Sequence, residues 1–439
     1  MRNRLNLSLS AIIAEGLSSR LSFGVIDFAL PLYARHLGLS FTQIGILVSL
    51  NSAVALAFKP LLGWVGDRFG LKRTLAVAIG LRSMVSLLLA FATASWALFA
   101  VRGLYGVSMS LRDPAVNGLI AENGGKKSVA SAFAWYQTAR QVASAISKGV
   151  AGILLAMTAS NYFLIFSLAF ALSVLPLVAV FFVKEHREEE VPGDTSVQEG
   201  LPETGTDTSR NNRILPLVGF GFLVAGTAEM LSGLFPVIAT EYVHLGKAQA
   251  GIIYTVSTLI AIISGPIFGW LADNVSRKLT LVARSLANIC SSVLYLVFPT
   301  YVGIGIAKSA DDMGKAAFRP AWGALMAQIS GVDRKRRART MSWLSMGEDA
   351  GGMAAPMLAG FLWNTWGIAA LMGARIALAV VTEIYAFTIE RNSPAERVGA
   401  DSKSAELSMC TAPVTNQENP ILLNRRVGGG SSECLFEPG

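Results

Sequence analysis

A charged, glycine-bearing segment, Gly63-Trp64-Val65-Gly66-Asp67-Arg68-Phe69-Gly70-Leu71-Lys72-Arg73, returns 206 residues later in worn form as Gly269-Trp270-Leu271-Ala272-Asp273-Asn274-Val275-Ser276-Arg277-Lys278. Each copy closes one long apolar run and opens the next, and the offset is close to half of the 439 residues. Other landmarks keep the same register. Gln43-Ile44-Gly45-Ile46 resembles Gln249-Ala250-Gly251-Ile252, and Pro114-Ala115 with Leu119 and Ala121 matches Pro320-Ala321 with Leu325 and Ala327, all at 206. Trp135 and Gly152 match Trp343 and Gly360 at 208. The chain reads as an internal duplication whose unit is rich in hydrophobic segments.

Those segments decide the fold class. Charged residues make up 15% of the chain against about 25% in soluble domains. Apolar stretches long enough to cross a bilayer as helix recur from end to end. They are too long and continuous for barrel strands, so an all-α polytopic membrane protein is expected. The expected spans are 9–34, 42–66, 73–93, 96–121, 130–157 and 161–183, then 214–240, 249–272, 279–299, 301–328, 340–362 and 366–389. The organisation is then a six-helix bundle over 1–183, a polar linker over 184–213, a second bundle over 214–390 and a polar tail over 391–439. Met1-Arg2-Asn3-Arg4 leads straight into the first span, without a cleavage pattern.

Loop charge sets the expected orientation. One side carries Arg2, Arg4, Arg68, Lys72, Arg73, Lys126, Lys127, Arg277, Lys278 and Arg334-Lys335-Arg336-Arg337; the other has little beyond Arg35 and Lys247. The basic side is expected to face the cytoplasm, with both termini, in a cell membrane. This topology accounts for the net charge of +8 without nucleic acid. Cys290, Cys410 and Cys434 form no metal or disulfide pattern. No P-loop or nucleophile motif is present, so no enzyme activity, cofactor or metal is expected.

Twelve spans in two halves, with the pattern Gly63, Asp67, Arg68, Gly70, Lys72 and Arg73 between spans two and three, resemble the major facilitator superfamily. The second copy keeps Gly269, Asp273, Arg277 and Lys278 but has Asn274 and Ser276 where the arginine and glycine stood. The resemblance implies a secondary transporter that works by alternating access. It also implies that the carboxylate of the signature, Asp67, belongs to a cytoplasmic gate with Gly63, Arg68, Gly70, Arg73 and Asp273. Spans one, four, seven and ten would line the path. Drug-proton antiporters of that family carry a glycine-proline signature in span five; here Lys148 stands where the proline would be, followed by Gly149.

Ionisable residues inside spans need a partner or a wet cavity, since each costs about 2.5–3.5 kcal/mol at mid-bilayer. Glu15, Arg20 and Asp27 fall in span one, Arg102, Arg112 and Asp113 in span four, and Lys308, Asp311, Asp312, Lys315 and Arg319 in span ten. Lys308 with Asp312 and Asp311 with Lys315 have helical i,i+4 spacing. Arg102 and Lys308 are counterparts at 206. Span five has a polar stripe of Gln137, Gln141, Ser144 and Lys148, with Arg140 beside it. Arg102, Arg112, Arg140, Gln141, Lys148, Lys308 and Arg319 are the candidates for binding a solute of negative or mixed charge. Self-neutralising ladders and salt bridges between halves are the competing reading. Asp27, Glu229, Asp311 and Asp312 are the candidates for a coupling proton. Lys59 and the pair Glu348 and Asp349 lie at similar depth in adjoining spans and suit a gate. Arg82, Arg375 and Glu383 read as structural or snorkelling.

The expected partners are a small-molecule substrate, the lipid bilayer and a coupling proton. Efflux of apolar compounds competes with carriage of a charged solute. A transporter-like scaffold that recruits proteins through the tail is the reading from another class.

Overall fold

In lipid each backbone N–H must be satisfied within its own segment, so apolar runs close into helices. The computed structural model describes residues 2–123, 129–183, 208–274, 277–331 and 337–391, and the side chains among them other than those of 2–6, 60, 63–67, 129–130, 208–214, 272–281, 319–321, 323–342 and 389–391. The helices of the first half are α1 (Arg2–His36), α2 (Phe41–Phe69), α3 (Leu71–Phe91), α4 (Ser95–Asn123), α5 (Val129–Met157) and α6 (Tyr162–Phe181). The second half has α7 (Thr208–Glu229), a short turn Phe235–Val237 running into a π-helical turn Ile238–Tyr242, α8 (Lys247–Asn274), α9 (Arg277–Val297), α10 (Tyr301–Gly331) and α11 (Arg337–Arg391). Gly367 breaks α11 with φ 82° and ψ −178°, which divides it into two crossings. The described residues thus make twelve crossings, six in each half. Among them there is no strand.

Six stretches are long and apolar enough to cross a membrane on length and composition alone, including Tyr162–Phe181 and the 46-residue Trp343–Thr388. Helices α4, α5 and α10 have the length, 29, 29 and 31 residues. They are less apolar because they carry the charges and polar groups described below. Large apolar side chains such as Phe91, Trp96, Phe181 and Phe387 are exposed on the outside of the bundle, as lipid-facing positions should be.

The duplication is visible in the helix starts. The amide of Ser40 donates to Gln43 Oε1 at 2.9 Å, and the amide of Gly246 donates to Gln249 Oε1 at 2.9 Å. These are the same cap, 206 residues apart. Helix α1 packs on α5 and α6, α3 on α4 and α6, and α2 on α4; in the second half α10 packs on α8 and α9. Without a hydrophobic drive between helices in lipid, small residues and hydroxyls supply the cohesion. Ser22 donates to the Ala169 carbonyl at 2.6 Å, Ser83 to that of Ser173 at 2.9 Å, and Ser108 to that of Ala78 at 2.8 Å.

Three boundaries differ from expectation. Helix α2 continues through Phe69, so Gly63 to Phe69 is helical rather than a loop, and Gly70 alone, at φ 92°, turns the chain into α3. Only glycine holds that φ without strain. Helix α7 begins at Thr208, inside the expected linker, and ends at Glu229, so span seven is interrupted rather than continuous over 214–240. Ser232-Gly233 before Pro236 is the local cause. The turn between spans eleven and twelve falls at Gly367, just after the Asn364-Thr365 turn that was expected.

One apolar core joins the halves at the end of the bundle away from the N-terminus. It includes Phe28, Leu47 and Phe166 together with Phe235, Ile238 and Tyr254. At the N-terminal end each half has its own core, Ile12, Leu75, Leu119 and Tyr136 in one and Phe220, Val224, Phe318 and Trp322 in the other. The halves therefore share packing at the far end and pack separately near the termini.

Candidate functional site

Three groups of ionised side chains occupy the interior. On α1, Asp27 receives Arg20 at 3.1 Å, two turns away on the same face, and Arg102 of α4 at 3.6 Å. Beside them Arg82 of α3 lies 3.7 Å over the Phe23 ring and donates to the Tyr105 hydroxyl at 2.9 Å, while Phe23 stacks on Tyr105 at 4.4 Å. The aromatic faces hold the Arg82 cation, which makes no ion pair among the described residues.

The second group is in the other half. Lys308 bonds Asp312 at 2.5 Å, and Lys315 bonds Asp311 at 2.9 Å. Asp311 is also held by Arg375 and by Arg284 at 3.4 Å. Arg375 donates further to Ser291 and Ser292 at 3.1 Å and to the Thr227 carbonyl at 3.2 Å. This ties α7, α9, α10 and the last crossing together. Ser257 of α8 donates to Asp312 at 2.8 Å.

The third group is the pair Glu15 and Arg112. Arg112 Nη2 lies 2.9 Å from both carboxylate oxygens and its Nε 3.0 Å from one of them; Nη2 also donates to Tyr136 at 2.8 Å. The side chains are 0% and 2% exposed.

Tyr254 of α8 stands where the halves meet. Lys148 of α5 lies 4.0 Å from its ring centre and Lys308 lies 4.7 Å from it. Phe235 and Phe28 pack edge-on to the same ring. The Tyr254 hydroxyl donates to the Ser232 carbonyl at 2.8 Å, inside the break of span seven, and Lys315 donates to the Ser232 hydroxyl at 2.9 Å. The charges acting on Lys148 are Arg20 and Asp27 from its own half and Lys308 and Asp312 from the other. The site is thus bipolar and built from both halves around one aromatic ring.

The sequence model of the Major Facilitator Superfamily matches residues 16–307 and 217–418. The chain belongs to that superfamily. As a member it is a multi-pass membrane protein and a secondary transporter of a small solute. Among its relatives is the multidrug resistance protein MdtG of Erwinia billingiae, 24% identical over 84% of this chain and 90% of that one. The quinolone resistance protein NorA of Staphylococcus aureus is 23% identical over 78% and 87%. A probable 4-methylmuconolactone transporter of Cupriavidus pinatubonensis is 22% identical over 63% and 64%. Among solved structures, a bacterial homologue of the human lysosomal transporter Spinster, in an inward-facing unoccupied conformation, aligns with TM-score 0.71 at 15% identity, covering 89% of this chain and 98% of its own. The nucleoside transporter NupG aligns with TM-score 0.69 at 16% identity, over 88% and 98%. These last two speak for the fold.

Within this superfamily member the predicted residues sort by geometry. Lys148 and Lys308 meet at Tyr254, and Arg102 shares Asp27 with Arg20. Gln141 and Arg140 are half-buried on α5, with Arg140 5.6 Å from the Tyr136 ring. Arg112 was expected among the solute ligands; it makes a bidentate bond to Glu15. Asp311 was expected among path-facing carboxylates; Arg284, Lys315 and Arg375 enclose it at 1% exposure. Asp27 and Asp312 each have basic partners, whereas Glu229 is half-buried at the end of α7 without an ion pair among the described residues. Lys59 bonds Asp349 at 2.8 Å across the halves, and Glu348 lies near Gly221 of α7. Arg68 and Arg73 are exposed. The side chains of Gly63, Asp67, Asp273 and Arg319 lie outside the described residues, as do the linker over 184–207 and the tail over 392–439.

Arg82 and Arg375 do not snorkel; both are buried. Tyr254, Arg284 and Ser232 are the residues that sequence reading missed. A tyrosine and a serine in spans carry little signal alone, and Arg284 was hidden by the apolar run around it.

Proposed function

We propose that this transporter carries a small polar, charged solute across a cell membrane and couples it to a proton gradient. The observation behind this reading is the convergence of Lys148, Asp27 and Arg20 with Lys308 and Asp312 on Tyr254, from opposite halves. A bound solute touching both halves can bias their rocking about a midplane site, as alternating access requires. Of the four coupling candidates, Glu229 is the carboxylate that makes no ion pair among the described residues, so the proton is assigned to it. Both termini face the cytoplasm, and the two six-helix bundles, the second starting with α7 at Thr208, are the rocking bodies. The shared core then closes the outer end. Lys59 and Asp349 hold the inner end until it opens, with the signature around Asp67 as the second inner contact. No catalysis is assigned to any residue.

Efflux of apolar compounds is the second reading, supported by the likeness to the multidrug resistance protein MdtG and the quinolone resistance protein NorA. Purified protein in liposomes separates the two. Uptake of charged solutes driven by an imposed pH difference, lost in Glu229→Gln, is expected. Ethidium export with no flux of any charged or polar solute would favour the second reading and remove the first.

A further inference from the structure

The site at Tyr254 holds two charges of opposite sign that are not joined to each other. Lys148, from the first half, rests on the ring at 4.0 Å and has no ion pair among the described residues. Glu229, from the second half, ends α7 one turn before Ser232, whose carbonyl takes the Tyr254 hydroxyl at 2.8 Å. The amide of Ser232 in turn donates to the Glu229 carbonyl at 3.3 Å. Lys148 thus lies over the face of the Tyr254 ring, and Glu229 stands three residues before the serine that takes its hydroxyl; both are half-buried rather than sealed. Glu229 also lies against Gly352 of α11, where a larger residue would fill the space beside the carboxylate.

The neighbouring carboxylates are already taken by basic side chains. Asp312 takes Lys308, Lys315 and Ser257, and Asp27 holds Arg20 and Arg102. The other interior ions without an ion pair among the described residues are Arg82, held on Phe23 and Tyr105, Arg140, on Tyr136, and Glu383, in the last crossing. A singly charged solute would neutralise Lys148 or Glu229 and leave the other unpaired in a low-dielectric site. A solute with both signs would neutralise the two together, and the ring between them offers a face for the apolar part or for a cationic group.

We infer that the substrate is a zwitterion, its anionic group on Lys148 of one half and its cationic group on Glu229 of the other. This rests on the polar-carrier reading above and names its substrate class. It also gives the solute a mechanical role, since its two ends draw the two halves toward one another.

Matched probes test this in the full-length protein. The twenty amino acids and glycine betaine supply zwitterions, the N-acetyl amino acids the same shapes as anions, and the amino acid methyl esters the same shapes as cations. Ligand binding raises the thermal midpoint by mass action. At least one zwitterion is expected to stabilise the protein, with its N-acetyl and ester forms binding tenfold or more weakly. In Glu229→Gln its affinity should fall to that of the N-acetyl form, and in Lys148→Met to that of the ester; Lys148→Gln serves if the methionine variant fails to fold. The inference is overturned if no zwitterion binds, if a singly charged form binds as well, or if both variants bind the zwitterion unchanged. Tight binding of an anion or cation alone would overturn the zwitterion and leave the polar carrier standing. Stabilisation by ethidium alone would remove both.

Discussion

Gly45 of α2 and Gly360 of α11 meet backbone to backbone across the two halves. A Cβ on Gly45 would stand 3.2 Å from the Gly360 Cα and 2.2 Å from the Pro356 carbonyl oxygen. A Cβ on Gly360 would stand 2.3 Å from the Phe41 carbonyl oxygen. The duplication carries Gly45 to Gly251 and Gly360 to Gly152, and these two also meet, between α8 and α5. There a Cβ on Gly152 would stand 2.5 Å from the Lys247 carbonyl oxygen, and Lys247 is the counterpart of Phe41. The same contact is made twice about a pseudo-twofold axis, which is how two bundles can turn against one another on paired points of close approach.

The glycine contacts give a ranked prediction. Gly45→Ala, Gly360→Ala and Gly152→Ala each force a methyl into a carbonyl, so each should cost about 1–3 kcal/mol of overpacking and sharply reduce flux. Gly251→Ala should be the mildest, because its nearest contact is 3.0 Å. Thermal midpoints in detergent check the order. Four equal midpoints, all matching the parent, would mean that the helices separate there at no cost.

The duplication, the helix count and the i,i+4 pairs of α10 were legible because they are written in offset and periodicity. Lys59 and Asp349 could be matched by depth, since both lie in adjoining spans. Sequence spacing could not tell Arg112 from Lys148. Both are cations in path-lining or flanking spans, and only the fold shows that one faces a carboxylate from α1 and the other an aromatic ring from the opposite half. Tyr254 was unreadable for the same reason: its importance comes from two lysines on different helices. The break in span seven left a trace in Ser232-Gly233 and Pro236, which an unbroken apolar average conceals.

Glu15 and Arg112 provide a test of buried pairing. Arg112→Leu leaves the Glu15 carboxylate buried without its partner, at an expected cost of about 3–5 kcal/mol. The double change Glu15→Leu with Arg112→Leu removes both charges and should recover much of that loss. Unfolding of the parent and the two variants in detergent is the measurement. A double variant no more stable than Arg112→Leu would mean that the pair's energy lies in packing and in the Tyr136 bond rather than in charge.

Lys59 and Asp349 should behave differently, because their side chains are 41% and 43% exposed. Solvent screening limits such a pair to about 0–1 kcal/mol, so Lys59→Gln should leave the thermal midpoint almost unchanged. Its effect should appear in conformation. With Cys290, Cys410 and Cys434 replaced by serine, Gln141→Cys on the half-buried stripe of α5 should label several-fold faster with a maleimide when Lys59 is Gln. Equal labelling rates would remove the pair from the gate.

At the far end the matching restraint is Arg35 with Glu241, 3.2 Å apart. The two residues are each other's counterparts at the 206 offset, which puts the pair on the pseudo-twofold axis. Arg35 also lies 4.7 Å over the Phe41 ring, which stacks on Trp363 of the other half at 4.0 Å. Lys247 adds bonds to Ser160 and Tyr162. At 37% and 39% exposure the ion pair is worth about 1 kcal/mol or less in stability. Across a boundary that opens and closes, that is enough to shift a population severalfold. Arg35→Glu sets two carboxylates against each other and should lengthen the distance between spin labels on His36→Cys and Ala248→Cys. Adding Glu241→Arg restores opposite charges in swapped order and should shorten it again. The single change should also slow flux by favouring the state open at the far end, and the swap should recover it. If the double variant stays as open as the single one, charge at this position does not hold the end closed, and the Phe41–Trp363 stack with the glycine contacts carries the closure alone.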